Sequence, residues 1–381
     1  MAELQQTKNS FRFKGKVTRI DKDGAFKEDV SKNQGKLYRS LRFGVKTSPN
    51  NEMMVSMFDF KPDEVFLWNS EKAKKAKEEN KSYKGERIPF AEWVEKEDEL
   101  RESGYAVLQS RIGLEYDENG KLNSKGVPSY VASKEIYDQL SNNDSVVVEG
   151  KIRYSTYENQ QGKTVERKDF QIEKVHRLKD IDFESEKFEE VTYFEQDMVY
   201  VDAELDKEQN KVYITGRTID YNKDWHDSQF VIDFSNGQDG IDEGMKKLGD
   251  SFLKRIKFGD FVTVFGNALN QVVVEESEDE EENPDELLKS LGGRSKPAHA
   301  QKYTIRNYIQ EMRIEGIDAW ERKMYKEEDF VDNGVLQKEG DLQNELGGKS
   351  KKESSNPFDA DDDPFANDGK PIDISDDDLP F

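Results

Sequence analysis

Two stretches, Asn143-Asp-Ser-Val-Val-Val-Glu-Gly150 and Gly259-Asp-Phe-Val-Thr-Val-Phe-Gly266, share an Asp, two Val and a closing Gly at the same offsets. Each reads as a turn that releases the chain into a buried strand. Both stand after three strand-like stretches, residues 11–20, 37–46 and 53–60 in the first half and 197–203, 211–218 and 229–234 in the second. Chance meets so short a frame easily, but its recurrence at the same place in the order predicts duplication or a shared architecture. The expected fold is mainly β: two tandem units of like strand order with helical insertions and a disordered acidic C-terminal tail.

Upstream, Phe11-Arg-Phe-Lys-Gly-Lys-Val-Thr-Arg-Ile20 alternates, so Phe11, Phe13 and Val17 face a core while Arg12, Lys14 and Lys16 face out. Gly15 permits the bend a small barrel needs. In Leu37-Tyr-Arg-Ser-Leu-Arg-Phe-Gly-Val-Lys46, Leu37, Leu41, Phe43 and Val45 turn inward and leave Tyr38, Arg42 and Lys46 on the other face. Cations with a ring among them form a platform that holds single strands by phosphate contact and base stacking. The bland reading, that Lys and Arg solvate the open side of a sheet, fits any one of these residues; the set favours binding. Residues 71–84 are either a helix or an unpacked insertion, residues 90–100 have helical spacing, and residues 105–116 run as a strand into Asp117-Glu-Asn-Gly120.

In the second half a helix is expected over 241–256, through Met245, Leu248, Phe252 and Ile256, and residues 302–314 alternate as a closing strand with 320–330 docking after it. The rings Tyr213, Tyr221, Trp225 and Phe230 are read mainly as core. The expected boundaries are 1–180 for the first domain, with an insertion at 61–142; 181–190 for a linker; 191–330 for the second domain, with an acidic loop at 275–300; and 331–381 for a disordered tail.

The net charge of −23 argues against nucleic acid if taken as an average, but the charge is segregated. Residues 275–286 carry nine acids and no base, and residues 331–381 have a net charge of −9, whereas residues 8–52 hold twelve Lys or Arg against five acids. The basic end is the N-terminus. No cysteine is present, and His176, His226 and His299 are too scattered for a zinc site, so no metal or cofactor is expected. No run approaches a membrane span and residues 1–10 have no signal-peptide core, so a cytoplasmic protein with no membrane partner is expected.

The chain ends in Asp373-Ile-Ser-Asp-Asp-Asp-Leu-Pro-Phe381, where Asp376, Asp377 and Asp378 supply acid, Leu379 and Pro380 an apolar lead, and Phe381 a ring beside a free carboxylate. A pocket with one basic residue can capture such an end. Residues 363–381, from Asp-Pro-Phe-Ala-Asn-Asp-Gly-Lys to the last residue, resemble the acidic tip of Gram-positive bacterial single-stranded DNA-binding proteins. That tip recruits replication, recombination and repair proteins, which implies a partner-binding role for 373–381 with Pro380 and Phe381 as anchors. The strand Val146-Val-Val-Glu-Gly150 followed by Tyr157-Glu-Asn-Gln-Gln-Gly-Lys163 resembles the fourth strand and following loop of the same family, whose domain is the OB fold, a five-stranded barrel. The resemblance implies two OB-like barrels here, with Arg153, Tyr154, Tyr157, Lys163 and Arg167 where DNA passes. The long insertion departs from the family's compact domain and leaves its usual tetramer open, although a homo-oligomer stays possible.

Enzyme signatures fail. Gly347-Gly-Lys-Ser350 lacks the upstream glycine of a phosphate loop, and no zincin or nucleophile-elbow motif occurs. The expected function is a non-enzymatic single-stranded DNA-binding protein, of phage or mobile-element origin, that coats DNA and recruits partners. The rival is a scaffold that mimics the tip to capture host replication proteins without binding DNA; a metal-dependent nuclease is a distant third.

Overall fold

The computed structural model describes residues 3–32, 34–158, 164–236, 240–277 and 303–330. The first half carries β1 (Asn9–Thr18), β2 (Phe26–Val30), β3 (Leu37–Ser48) and β4 (Asn51–Phe60), and later β10 (Ser145–Glu158) and β11 (Thr164–Arg177). Between them lie β5 (Glu64–Asn69), α1 (Ser70–Glu78), β6 (Glu86–Pro89), α2 (Phe90–Glu102), β7 (Tyr105–Val107), β8 (Ser110–Tyr116), β9 (Leu122–Val127) and α3 (Ser129–Gln139). The second half runs β12 (Val191–Asp206), β13 (Lys211–Ile219), β14 (Trp225–Asp233), α4 (Glu243–Lys254), β15 (Phe261–Ser277) and β16 (Tyr303–Glu321), then a 3-10 turn, Glu327–Phe330.

The protein is mainly β, and its long strands form one thirteen-stranded hydrogen-bonded sheet. Within it, β1 pairs with β3, β3 with β4, β4 in parallel with β11, β11 with β10, and β10 with β1. These five strands close a circuit. The strands β12, β13, β14, β16 and β15 close a second with the same connectivity, and the parallel pair is again the third strand with the fifth. Alternation fills the interior as the sequence predicts: Phe11, Phe13, Val17, Leu41, Phe43 and Val45 are buried, and Phe170 stands edge-on to Phe13 at 4.8 Å.

The shared frame has a physical reason at each conserved offset. Asn143 and Gly259 both take a left-handed backbone (φ 71° and 82°), the turn that swings the chain into β10 and β15. The next residue is the acid. Asp144 accepts from the amide of Ser141 (2.8 Å) and from Arg177 (2.9 Å); Asp260 accepts from the amides of Lys257 (3.1 Å) and Lys323 (2.8 Å) and from Trp320 Nε1 (3.0 Å). Each acid thus ties its turn to the end of the circuit's last strand. The two Val positions are core: Val146, Val148, Val262 and Val264 are fully buried. The closing Gly sits at a bulge in both, where a Cβ on Gly150 would lie 1.8 Å from the Gln171 carbonyl oxygen and one on Gly266 1.8 Å from that of Arg313.

The halves are joined more tightly than two beads on a tether. β1 also pairs antiparallel with β12, with Phe11 opposite Phe194, while Phe11 faces Gly150 and Phe194 faces Gly266 in their own circuits. Equivalent residues therefore meet across a pseudo-twofold axis, and both interiors merge into one apolar cluster. Each long hairpin also reaches the other circuit's third strand: Lys168 donates to the Gln229 carbonyl (3.2 Å), and the Asn270 amide donates to Asn51 (2.8 Å). Residues 181–190, expected as a linker, cross this junction pinned at both ends. The Ile181 amide donates to Ser145 Oγ (2.9 Å), and Glu190 accepts from Thr47 (2.6 Å) and Asn51 (2.9 Å).

The insertion is ordered into a separate three-stranded sheet, β6-β5-β7, with α1 and α2, and a hairpin, β8–β9, that extends the main sheet beside β11. Of the stretch 71–84, only the part up to Glu78 is helical, and 79–84 is turn and irregular; Asn69 caps α1 by accepting from the amides of Glu71 and Lys72. The sequence reading passed over β2 and α3. The spacing of Tyr130, Ala132, Ser133 and Ile136 buries one face of α3, and Arg39 donates to the Tyr130 carbonyl (3.1 Å), so α3 abuts the first circuit beside β3 and β4. The tail 331–381 and residues 278–300 of the acidic loop lie outside the described residues.

Candidate functional site

The same alternation that turns Leu41, Phe43 and Val45 inward on β3 turns Tyr38, Arg42 and Lys46 out, and on β4 it turns Met53, Val55 and Met57 in and Met54, Ser56, Phe58 and Phe60 out. Register sets Tyr38 opposite Phe60, Arg42 opposite Ser56 and Gly44 opposite Met54. The result is a half-buried aromatic cluster on the outer face. The Tyr38 and Phe58 rings lie 5.4 Å apart, Phe58 and Phe60 5.2 Å apart edge-to-face, and Tyr38 and Phe60 6.3 Å apart. Lys27, from β2, reaches over the Tyr38 ring at 5.8 Å, and its hydrogen bond to that tyrosine holds its ammonium pKa above the usual lysine range. Phe58, Phe60 and Met54 were missed as site residues, although carrying the alternation one strand further reaches them.

The row through Arg42 and Ser56 continues across the circuit to Gln171 and Lys151. The exposed Arg153 follows two residues on, opposite Asp169, which Arg167 contacts at 3.0 Å. Lys14 and Lys46 make no ion pair among the described residues, and both project from the outer face. The structure thus brings Tyr38, Arg42, Lys46, Lys14, Arg153 and Arg167 to one continuous outer surface.

Three expected contacts change. Tyr154 is a correction: it is 9 % exposed, its hydroxyl donates to Gln196 of the second half (2.8 Å), and burial pushes its pKa far upward. Its hairpin folds onto the neighbouring circuit, so the ring fills the junction and is withdrawn from any surface strand. Lys16 is also committed. It pairs with Asp180 at 3.3 Å and lies over the Phe183 ring at 5.7 Å, and this contact holds the Asp180 carboxyl below the usual range. Arg12 donates to Glu149 (2.7 Å), which Lys174 also reaches (3.0 Å). Burial pulls the Glu149 carboxyl upward, but the hydrogen bonds from Lys174 and Arg12 win and hold it low. Lys163, the side chain of Tyr157 and the tip residues Asp376, Asp377, Asp378, Leu379, Pro380 and Phe381 lie outside the described residues.

The second circuit's corresponding face is closed. Register carries the row Lys16, Lys46, Glu52 onto Val199, Arg217, Asp227. Arg217 forms a two-pronged pair with Asp227 (2.6 and 2.8 Å), and its guanidinium lies 3.8 Å from the Trp225 ring centre and 4.6 Å from that of Phe330. Leu4, Val199, Ile219, Tyr325 and Phe330 pack over it as a second apolar cluster. By the same register the places of Tyr38 and Phe58 fall to Gln209 and Asp233, so no aromatic platform arises there. Phe230 is fully buried and Tyr213 donates to Gln209 (3.0 Å), whereas Tyr221 is 82 % exposed at the tip of a turn.

Among the described residues no group of three His, Asp or Glu is placed to hold a metal ion, and no helix is long and apolar enough to cross a membrane.

Fold and site together define a class: a mainly β protein of two like circuits joined through their first strands, one with an open basic and aromatic face and the other with that face sealed. A family model, YorF, matches residues 91–347, and the chain belongs to the YorF family. The match covers most of the insertion and the second half; the face on β3 and β4 lies before it. No curated protein matches the chain. Among solved structures it pairs with a deletion mutant of the single-stranded DNA-binding protein from Thermus aquaticus, at 10 % identity over 70 % of this chain and 89 % of that one, with a TM-score of 0.32, too low to define a common fold.

Proposed function

We propose that the protein is a non-catalytic single-stranded DNA-binding protein built on two OB-type barrels, and that it holds DNA on the outer face of β3 and β4. The observation that carries this reading is the Tyr38, Phe58 and Phe60 cluster, bordered by Arg42 and Lys27 on a closed five-strand circuit. Rings kept partly accessible on a sheet face offer a stacking surface, and bases offer a π-face whatever their sequence. The sealed second face supports one principal site per chain, with the second barrel acting through packing.

Recruitment of replication, recombination and repair proteins by 373–381, cytoplasmic location and a mobile-element origin rest on the sequence alone. The rival scaffold reading predicts no dependence on the basic face. Changing Lys14, Arg42 and Lys46 together to Glu is expected to weaken oligothymidine binding and to lower the slope of log affinity against log salt by about 2, since each phosphate contact on single strands contributes about 0.7. Fluorescence anisotropy across a salt series reads both, and an unchanged slope overturns the placement. Ending the chain at Asn356 is expected to tighten binding at low salt, because most of the net −9 of residues 331–381 no longer competes for the basic face. Equal affinity of the two chains at low salt overturns that competition.

A further inference from the structure

We propose that the cleft between the β4–β5 turn and the β7–β8 connection is a single-nucleotide subsite, taking one unstacked base of the strand that lies on the β3–β4 face. The inference rests on the single-strand reading above and extends it onto the insertion.

The cleft is a half-open depression of about 530 Å³, a volume in the range of small-molecule sites. Phe60 lines it and at the same time ends the aromatic cluster, 5.2 Å from Phe58, so a strand stacked on that face runs directly to its mouth. Beyond Phe60 stand Phe66 and Leu108, which are 38 % and 63 % exposed. The Phe66 ring rests on Gly85, a left-handed glycine (φ 75°) where a Cβ would lie 2.4 Å from the ring's Cζ. Exposed apolar groups converging on one concavity mark a ligand site more strongly than scattered ones.

The polar groups decide what kind of ligand fits. Lys61 lies 5.7 Å from the Phe90 ring and makes no ion pair among the described residues, and Lys36, at the rim, holds only the exposed Asp63 at 3.1 Å. The two lysines supply cations for a phosphate at the entrance, set against the carboxylates of Asp63 and Glu64, which also line the cleft. The exposed Gln109 donates to Asp59 at 2.6 Å and accepts from the Ser129 amide (3.3 Å). Burial lifts the Asp59 carboxyl above the usual range. Asp59 and Gln109 are engaged with each other, and Phe60, Phe66, Val107, Leu108 and Pro128 give the cleft ring and aliphatic surface, on which a base is taken by its face and without preference for its identity.

The test uses the full chain and oligothymidines lengthened one nucleotide at a time, with affinity read by anisotropy. The wild-type protein is expected to gain about tenfold at the length that first fills the cleft. Phe66→Ala and Leu108→Glu are expected to match it on shorter oligomers and to lose that step. A 2-aminopurine placed at successive positions is expected to report one position whose emission changes on binding the wild type and not Phe66→Ala. Leu108 is exposed enough that its variant keeps the fold if Phe66→Ala does not. Variants that follow the wild type at every length, or that weaken all lengths equally, overturn the subsite. Failure of the wild type to bind any length overturns the single-strand reading itself.

Discussion

Replacing Tyr38, Phe58 and Phe60 together by alanine is expected to lower affinity for oligothymidine about 100-fold while leaving the salt dependence nearly unchanged. Stacking on an aromatic side chain contributes about 1–3 kcal/mol per base, and about 1.4 kcal/mol is tenfold in affinity. The rings touch one another at 5.2 to 6.3 Å, so their losses do not add, and about 3 kcal/mol for the set is the reasonable sum. Cations are untouched, which is why the slope stays while the affinity falls. All three side chains are half-buried on the outer face, away from the interior that Phe11, Phe13 and Phe43 fill, so the fold is expected to persist by circular dichroism. Retained fold with unchanged affinity would remove β3 and β4 from the site.

Gly150→Ala and Gly266→Ala are expected each to cost about 3 kcal/mol of stability, and to cost the same. The added Cβ would stand 1.8 Å from a backbone carbonyl oxygen in either case, that of Gln171 or of Arg313. Both oxygens belong to paired strands, so no flexible side chain can move aside and the ladder itself must shift. Overpacking of this kind costs about 1–3 kcal/mol, occasionally more, and a backbone obstacle places these two at the upper end. Urea unfolding reads the change as a lower midpoint at constant slope. If one variant is costly and the other silent, the two bulges are not equivalent and the structural repeat fails at the position where the sequence frame closes.

What the sequence determined by itself is local. Alternation placed Phe11, Phe13, Val17, Leu41, Phe43 and Val45 inward and Arg42 and Tyr38 outward, because side-chain direction along a strand follows from the backbone alone. Helical spacing located α2 and α4, and the repeated Asp, Val, Val, Gly frame marked two like units, since each of those residues answers to a turn, a core or a bulge within its own hairpin.

Tertiary structure decided everything that depends on which distant strands meet. Nothing near Tyr154 in sequence reveals that its hairpin folds onto the second circuit and that Gln196 awaits its hydroxyl. Likewise Lys16 is as basic as Lys46, yet Asp180 and Phe183 arrive to occupy it. The same holds for Arg217, whose charge is cancelled by Asp227 and sealed under Leu4 and Phe330, residues from opposite ends of the described chain. Charge and aromaticity are properties of residues, but accessibility is a property of neighbours. That difference leaves one face open on β3 and β4 and closes its counterpart.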